Sequence, residues 1–373
     1  MKSAWPIVVR SARRLLDILP AERPRTVSRI LLLETFGVKD AVAATPALDA
    51  LRQSFPTATI TIAATPASCE ILKNDSRISE TIALAAPWVF AAANRKAFAA
   101  SVARLVAKPF DIAIDLDDSP GNRLLLGMVA APVRIGYPGK NDFALTHRAT
   151  LPTRAPSLSE RKMHLAIKAG AQSLTTLPSL QLTPGDQRYV EDLLSGLDLA
   201  NRPLVAISAD TADRNDTWSD ERFAELGDRI REAEPRAQIL FFGAPRDNQR
   251  LERVSNKMKK TPSVLLLSMP RLAAFFSRCD LYIGTHSGPS FIAAAFGIRS
   301  VLAYRKDQAH LAPMGPHIRL LTTEGDLGAI TPALVAQSAA QTLAETPLRE
   351  ARKKTRSQNL YFHAMQEAPE RVK

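Results

Sequence analysis

Cysteine is nearly absent from this chain: Cys69 and Cys279 are its only two among 373 residues, both in apolar settings and far apart in sequence. That excludes a disulfide framework and a cysteine-based metal site, and suits buried small hydrophobes in a reducing compartment. Aromatics are sparse at 6%. No apolar run approaches the roughly 20 residues that span a bilayer. The first residues lack the continuous apolar stretch and small-residue cleavage site of a signal peptide, so the expected compartment is the cytoplasm. His147, His164, His310 and His317 show no metal-ligand spacing, and no metal site is expected. P-loop, zinc and Ser nucleophile-elbow motifs are missing as well.

Positive charge, by contrast, is abundant, and most of it sits at the ends. Of a net +12, residues 1–29 carry +5 and residues 346–373 carry +4, leaving about +3 for the body. A nucleic-acid groove would concentrate charge along a folded surface with aromatics interleaved, so no nucleic-acid partner is expected. Basic tails instead suit an anionic membrane surface, at about 1 kcal/mol per residue close to it. In residues 5–19, Trp5, Val8, Ala12, Leu15, Leu16 and Leu19 fall at helical spacing opposite Arg10, Arg13, Arg14 and Asp17, and Pro20 ends the run. This leader reads either as an interfacial helix on the inner membrane or as a helix packed on the body.

From residue 29 onward, short β-rich runs alternate with helical stretches. Strands are expected at 30–33, 59–62, 82–84, 111–115 and 133–136, with helices through 48–55, 94–106 and 157–170. A loop-rich join with Pro178, Pro184 and Gly185 spans roughly 171–186. The series then restarts with strands at 203–208, 238–242, 264–267, 281–283 and 300–304, and helices at 219–232 and 331–344. Such alternation predicts an α/β chain with two Rossmann-like domains, each a parallel sheet with helices on both faces, meeting at a cleft. The expected parts are a basic leader (1–28), an N-terminal domain (29–180), a C-terminal domain (186–345) and a basic tail (346–373). In sheets of this kind ligands sit beyond the carboxyl ends of the strands, which singles out the loops at 34–40, 116–121, 208–217, 243–247 and 284–289.

Two of those loops carry the clearest chemistry. Gly284-Thr-His-Ser-Gly-Pro-Ser-Phe-Ile-Ala-Ala-Ala-Phe-Gly297 turns from a strand into a small-residue helix. Gly288 allows close backbone approach, Pro289 suits a first helical turn, and the free N–H groups favour an anion such as a diphosphate. Glu34-Thr-Phe-Gly-Val-Lys-Asp40 places a carboxylate at the start of the first helix. An ionised Asp40 there is either a base for an attacking hydroxyl or an ordinary helix N-cap. Asp115, Asp117 and Asp118 either bind acceptor hydroxyls or cap a strand end.

The order of segments resembles glycosyltransferase family 9, the heptosyltransferase-like family. The resemblance rests on Asp40 with the Thr45-Pro-Ala-Leu48 run, on Phe110-Asp-Ile-Ala-Ile-Asp-Leu116 with Arg134-Ile-Gly-Tyr137, and on Trp218-Ser-Asp-Glu-Arg-Phe-Ala-Glu-Leu226. Phe242-Gly-Ala-Pro-Arg-Asp247 and the stretch 280–297 complete it. It covers roughly residues 29–320. It implies the GT-B architecture, with an acceptor-binding N-terminal and a nucleotide-sugar-binding C-terminal domain. The implied reaction is inverting, metal-independent and cofactor-free: a heptose or related sugar moves from a nucleotide-sugar such as ADP-heptose to a lipopolysaccharide-core or other lipid-linked envelope glycan. Asp40 would be the general base. Ser208, Thr211, Arg214, Asp247, His286, Ser287 and Gly288 would bind the donor, with Thr211 at the phosphates and Asp247 near the ribose.

Several positions depart from the family pattern. His286 stands where the family has Asp, Phe291 where it has His, Asp216 where it has a basic residue, and Lys39 where it has Gly. Arg214 or His286 would have to supply the positive charge that a leaving diphosphate needs. The alternative implied by these changes is a catalytically impaired member that binds a nucleotide, a glycan or a protein.

Overall fold

The computed structural model describes residues 26–86, 95–151, 156–172, 175–197, 199, 202–209, 218–243 and 247–345. The tail 346–373 and nearly all of the leader 1–28 lie outside the described residues. The chain divides between Gln181 and Leu182 into two compact units.

In the first unit the elements run β1 (Arg29–Glu34), α1 (Val38–Ala43), α2 (Thr45–Ser54), β2 (Thr59–Ala64), α3 (Pro66–Leu72), β3 (Glu80–Ala83), α4 (Arg95–Val106), β4 (Ile112–Asp115), α5 (Pro120–Met128), β5 (Val133–Gly136), β6 (His147–Arg148) and α6 (Leu158–Ala169). Six strands pair in the order β3-β2-β1-β4-β5-β6, all parallel. Ile30 through Leu33 are wholly buried, as a strand covered by helices on both faces requires. Leu31 and Leu33 pack with Ile82, Ala113, Leu125 and Leu126 in one core cluster.

The second unit runs α7 (Pro184–Leu194), β7 (Leu204–Ser208), α8 (Asp220–Ala233), β8 (Gln238–Gly243), α9 (Asn248–Lys257), β9 (Ser263–Leu266), α10 (Met269–Phe276), β10 (Leu281–Gly284), α11 (Gly288–Ala295), β11 (Ser300–Arg305), β12 (Ile318–Thr323) and α12 (Pro332–Ala344). Its strand order, β12-β11-β10-β7-β8-β9, repeats that of the first sheet, and again every pairing is parallel. Val205, Ile207, Phe241, Ile283 and Val301 face a core shared with α8, α9 and α12. The opposite face carries an aromatic cluster in which Phe276 meets Phe242 and Tyr282 edge-on, at 5.1 Å each.

Strand order 3-2-1-4-5-6 creates a switch point between strands 1 and 4, where the crossovers leave in opposite directions and a crevice opens at the carboxyl edge. Each unit has one, at β1/β4 and at β7/β10.

The structure adds elements that the hydrophobic pattern does not show. Strands β6 and β12 sit at sheet edges, and β12 is only half-buried. The join at 171–186 ends in a helix start: Pro184 opens α7, and the Thr183 side chain accepts from the Asp186 N–H at 3.0 Å. A Pro read as a breaker is here a first-turn residue.

Candidate functional site

At the switch point of the first sheet, β1 ends in Glu34 and the chain turns through Gly37 into α1. Gly37 has φ 115°, a left-handed backbone that side-chain-bearing residues rarely adopt. It is the N-cap of α1 and offers no side chain, so Asp40 is not the cap but an acidic residue of the first turn. Glu34 closes the turn instead: its Oε1 accepts from the N–H groups of Phe36 and Gly37, both at 3.0 Å.

Facing this turn, the chain leaving β4 supplies Asp115 and Asp117. Asp115 accepts from the Asp117 N–H at 3.2 Å, the Ser119 N–H at 3.0 Å and Asn122 Nδ2 at 3.0 Å. Asp117 Oδ2 accepts from the Thr35 N–H and, at 3.2 Å, from Asn122 Nδ2, which ties β4 to β1. Both carboxylates therefore brace the two switch-point loops, as strand-end caps do. Asp118 differs: it is partly exposed, holds φ 56°, and pairs with Arg123 and, at 3.5 Å, with Arg161.

Between these loops sits a residue that neither motif nor resemblance marks. Lys162 of α6 is wholly buried, and its Nζ lies 3.0 Å from Asp117 Oδ1, 3.4 Å from Asp40 Oδ1 and 3.1 Å from the Leu116 carbonyl. Its sequence signal is position. Ser159, Lys162, Met163, Ala166 and Ala169 form the buried face of α6, so a lysine on that stripe demands carboxylate partners.

Four carboxyl groups, Glu34, Asp40, Asp115 and Asp117, share this water-excluded space with Lys162 and the nearly buried Arg123. Burial, reinforced by the charge of Asp117, pushes Glu34 well above the usual carboxylate range. The same two causes push Asp115 up to about 7. Burial also raises Asp117, although the Lys162 ammonium opposes it. Burial pulls Lys162 down, but Asp117, Asp40 and Glu34 together outweigh it and hold the ammonium above the ordinary lysine value. Such perturbed groups at a switch point make this crevice a candidate functional site.

In the second unit, the described donor candidates line the carboxyl edge of three adjacent strands. Ser208 is the buried last residue of β7. Asp247 precedes α9 and leans over Gly243, where an added methyl would come within 2.9 Å of the Asp247 Cβ. His286, Ser287 and Gly288 follow β10, and α11 begins at Gly288 with Pro289 in its first turn. Gly284 is demanded by packing, because a Cβ there would fall 2.0 Å from the Tyr282 hydroxyl. Thr211, Arg214 and Asp216 lie outside the described residues.

The turn into α11 has the features of an anion site. Ser287 is the N-cap, yet its side chain caps nothing, and its Oγ is buried with no hydrogen-bond partner among the described residues. The first N–H groups of the helix lie next to it. His286 stacks on Tyr304 with ring centres 5.1 Å apart and directs Nδ1 to Gln308 Oε1 at 3.2 Å. Phe291 is 1% exposed and packs into the core, so that position presents nothing polar to a ligand.

Among the described residues, no helix is long and apolar enough to cross a membrane. No curated protein matches the chain. Solved structures do match it along most of its length. A glycosyl transferase family 9 protein from Veillonella parvula superposes with a TM-score of 0.75 at 19% identity, covering 86% of this chain and 98% of that one. E. coli ADP-heptose LPS heptosyltransferase II gives 0.69 at 20% identity, with 85% and 99% covered. E. coli heptosyltransferase WaaC, solved with ADP, gives 0.68 at 18%, with 84% and 99% covered. These likenesses show the fold: two Rossmann-like units of the GT-B type. The model of glycosyltransferase family 9 (heptosyltransferase) matches residues 99–325, more than half of the chain. The chain is a member of glycosyltransferase family 9.

Proposed function

We propose that the protein moves a heptose or related sugar from a nucleotide-sugar donor such as ADP-heptose to a lipopolysaccharide-core or other lipid-linked envelope glycan, with inversion and without a metal ion. The observation that carries this reading is the buried Asp40 carboxylate at the β1/β4 switch point, 3.4 Å from a fully buried ammonium. As the acceptor hydroxyl attacks the anomeric carbon, Asp40 takes its proton. The bond to the diphosphate breaks, and the nucleoside diphosphate leaves with the electron pair. Proton loss late in such a step suits a weak carboxylate base against an oxocarbenium-like centre.

On the donor side, the N–H groups opening α11 and the Ser287 hydroxyl receive the diphosphate charge. Ser208, Thr211, Arg214, Asp247 and His286 complete this proposed donor site. Family membership and the fold shared with nucleotide-bound heptosyltransferases support it. The +9 carried by the leader and tail supports work on a lipid-linked acceptor at the cytoplasmic face of the inner membrane.

Thermal unfolding with ADP, GDP, UDP and their sugars tests the donor half of this reading. A ligand at 100 times its dissociation constant adds about 2.7 kcal/mol. A rise in Tm with ADP and ADP-heptose is expected; a Tm unmoved by every nucleotide would overturn the donor assignment.

A further inference from the structure

Asp40 has two chemically different oxygens in this structure. Oδ1 faces Lys162 Nζ at 3.4 Å, and that side chain is entirely buried. Oδ2 faces Lys39 Nζ at 3.8 Å, on a side chain 28% exposed. One oxygen is thus turned inward to a fixed cation, and the other toward a lysine that water reaches.

The inward cation is held from three directions. An ammonium has three donors, and Lys162 has three acceptors within reach: Asp40 Oδ1 on α1, the Leu116 carbonyl after β4, and Asp117 Oδ1. Asp117 is itself pinned by the Thr35 N–H and Asn122. Glu34 adds its field from the end of β1, and Asp115 accepts from the same Asn122 amide at 3.0 Å. A cation tied on three sides cannot follow the carboxylate, so the carboxylate settles against the cation. Burying an unpaired carboxylate is costly, and so is breaking a buried pair.

We infer that Lys162 is a positioning residue: it fixes the buried Asp40 carboxylate through Oδ1 and leaves Oδ2 as the oxygen that takes the acceptor's proton. This rests on the reading of Asp40 as the base. Lys162 touches no substrate in that scheme and acts only through Asp40.

The test compares steady-state turnover of ADP-heptose, with a lipopolysaccharide-core acceptor present, by the full chain and its variants. Lys162→Met should lower kcat by at least about 10-fold with the KM for ADP-heptose unchanged, the pattern of a contact that matters in the transition state. Lys162→Arg should restore much of kcat, which a purely space-filling role would not require. Should Lys162→Met fail to fold, the comparison is made between Asp117→Asn and Asp117→Asn/Lys162→Met, which removes both partners of the 3.0 Å pair. The same fall in kcat is expected there. A kcat that stays put when Lys162 is replaced, in either background, overturns the inference. Failure of the base reading itself shows elsewhere, as ADP-heptose turnover that survives Asp40→Asn.

Discussion

Asp115 holds the Asp117 backbone: the Asp117 N–H donates to Asp115 Oδ1 at 3.2 Å, and Asn122 Nδ2 reaches both carboxyls. Burial first, and then the charge of Asp117, pushes the Asp115 carboxyl up to about 7. Its folded-state value therefore lies above the unfolded one. The linked stability is fully present near pH 4 and is lost as pH rises toward 7. Asp115→Asn should lower Tm overall, because the new NH2 cannot accept from the Ser119 N–H, yet flatten the decline between pH 4 and 7. Thermal melts across that range check the slope; a variant declining as steeply as the parent would assign the effect to Glu34 or Asp117.

Arg77 is 2% exposed and pairs with Asp75 at 2.5 Å and with Asp49 at 2.8 Å, while also binding Ser179. It locks the segment at 175–181 onto α2. Arg77→Met should leave two buried carboxylates uncompensated and cost about 3–5 kcal/mol. Urea unfolding measures this, with Arg77→Lys expected to recover only part of it because the bidentate fork is lost.

Gly284→Ala places a methyl 2.0 Å from the Tyr282 hydroxyl, on a ring wedged against Phe242 and Phe276. Overpacking of this kind costs about 1–3 kcal/mol. Adding Tyr282→Phe removes the nearest atom but leaves the ring Cζ 2.5 Å from the methyl, so it should return only a minor part of the loss in the same denaturation experiment.

Ser287 separates binding from folding. Its buried Oγ has no partner among the described residues, so Ser287→Ala should leave Tm within about 1 °C or raise it slightly. If the hydroxyl receives the diphosphate, ADP affinity should fall by roughly 5–10-fold, the worth of about 1–1.5 kcal/mol. Calorimetric titration with ADP gives the answer.

Much of the fold is legible in the chain because its strands are buried on both faces. Ile30–Leu33, Leu204–Ile207 and Leu281–Ile283 read as continuous apolar runs, and turn residues separate them. Edge strands are harder: His147–Arg148 is two residues long, and Ile318–Thr323 is only half-buried, so neither carries a periodic signal. The site is legible as far as single loops reach. Asp40 and the turn from His286 to Gly288 stand out because each follows a strand and opens a helix. The neighbours that define Asp40 do not. Thr35 and Asp117 are 82 residues apart, Lys162 and Leu116 are 46 apart, and only the sheet order brings them together. Asp115 and Asp117 could be read as ligand-binding or structural from sequence; their hydrogen bonds to the Ser119 and Thr35 N–H groups show the structural role.

The most direct test of the account is turnover of ADP-heptose, with a lipopolysaccharide-core acceptor present, by the parent and by Asp40→Asn. Removing the proton acceptor should lower turnover by about 10²–10⁴-fold while leaving ADP affinity unchanged. An Asp40→Asn protein that is folded, binds ADP and transfers the sugar at the parent's rate would contradict it.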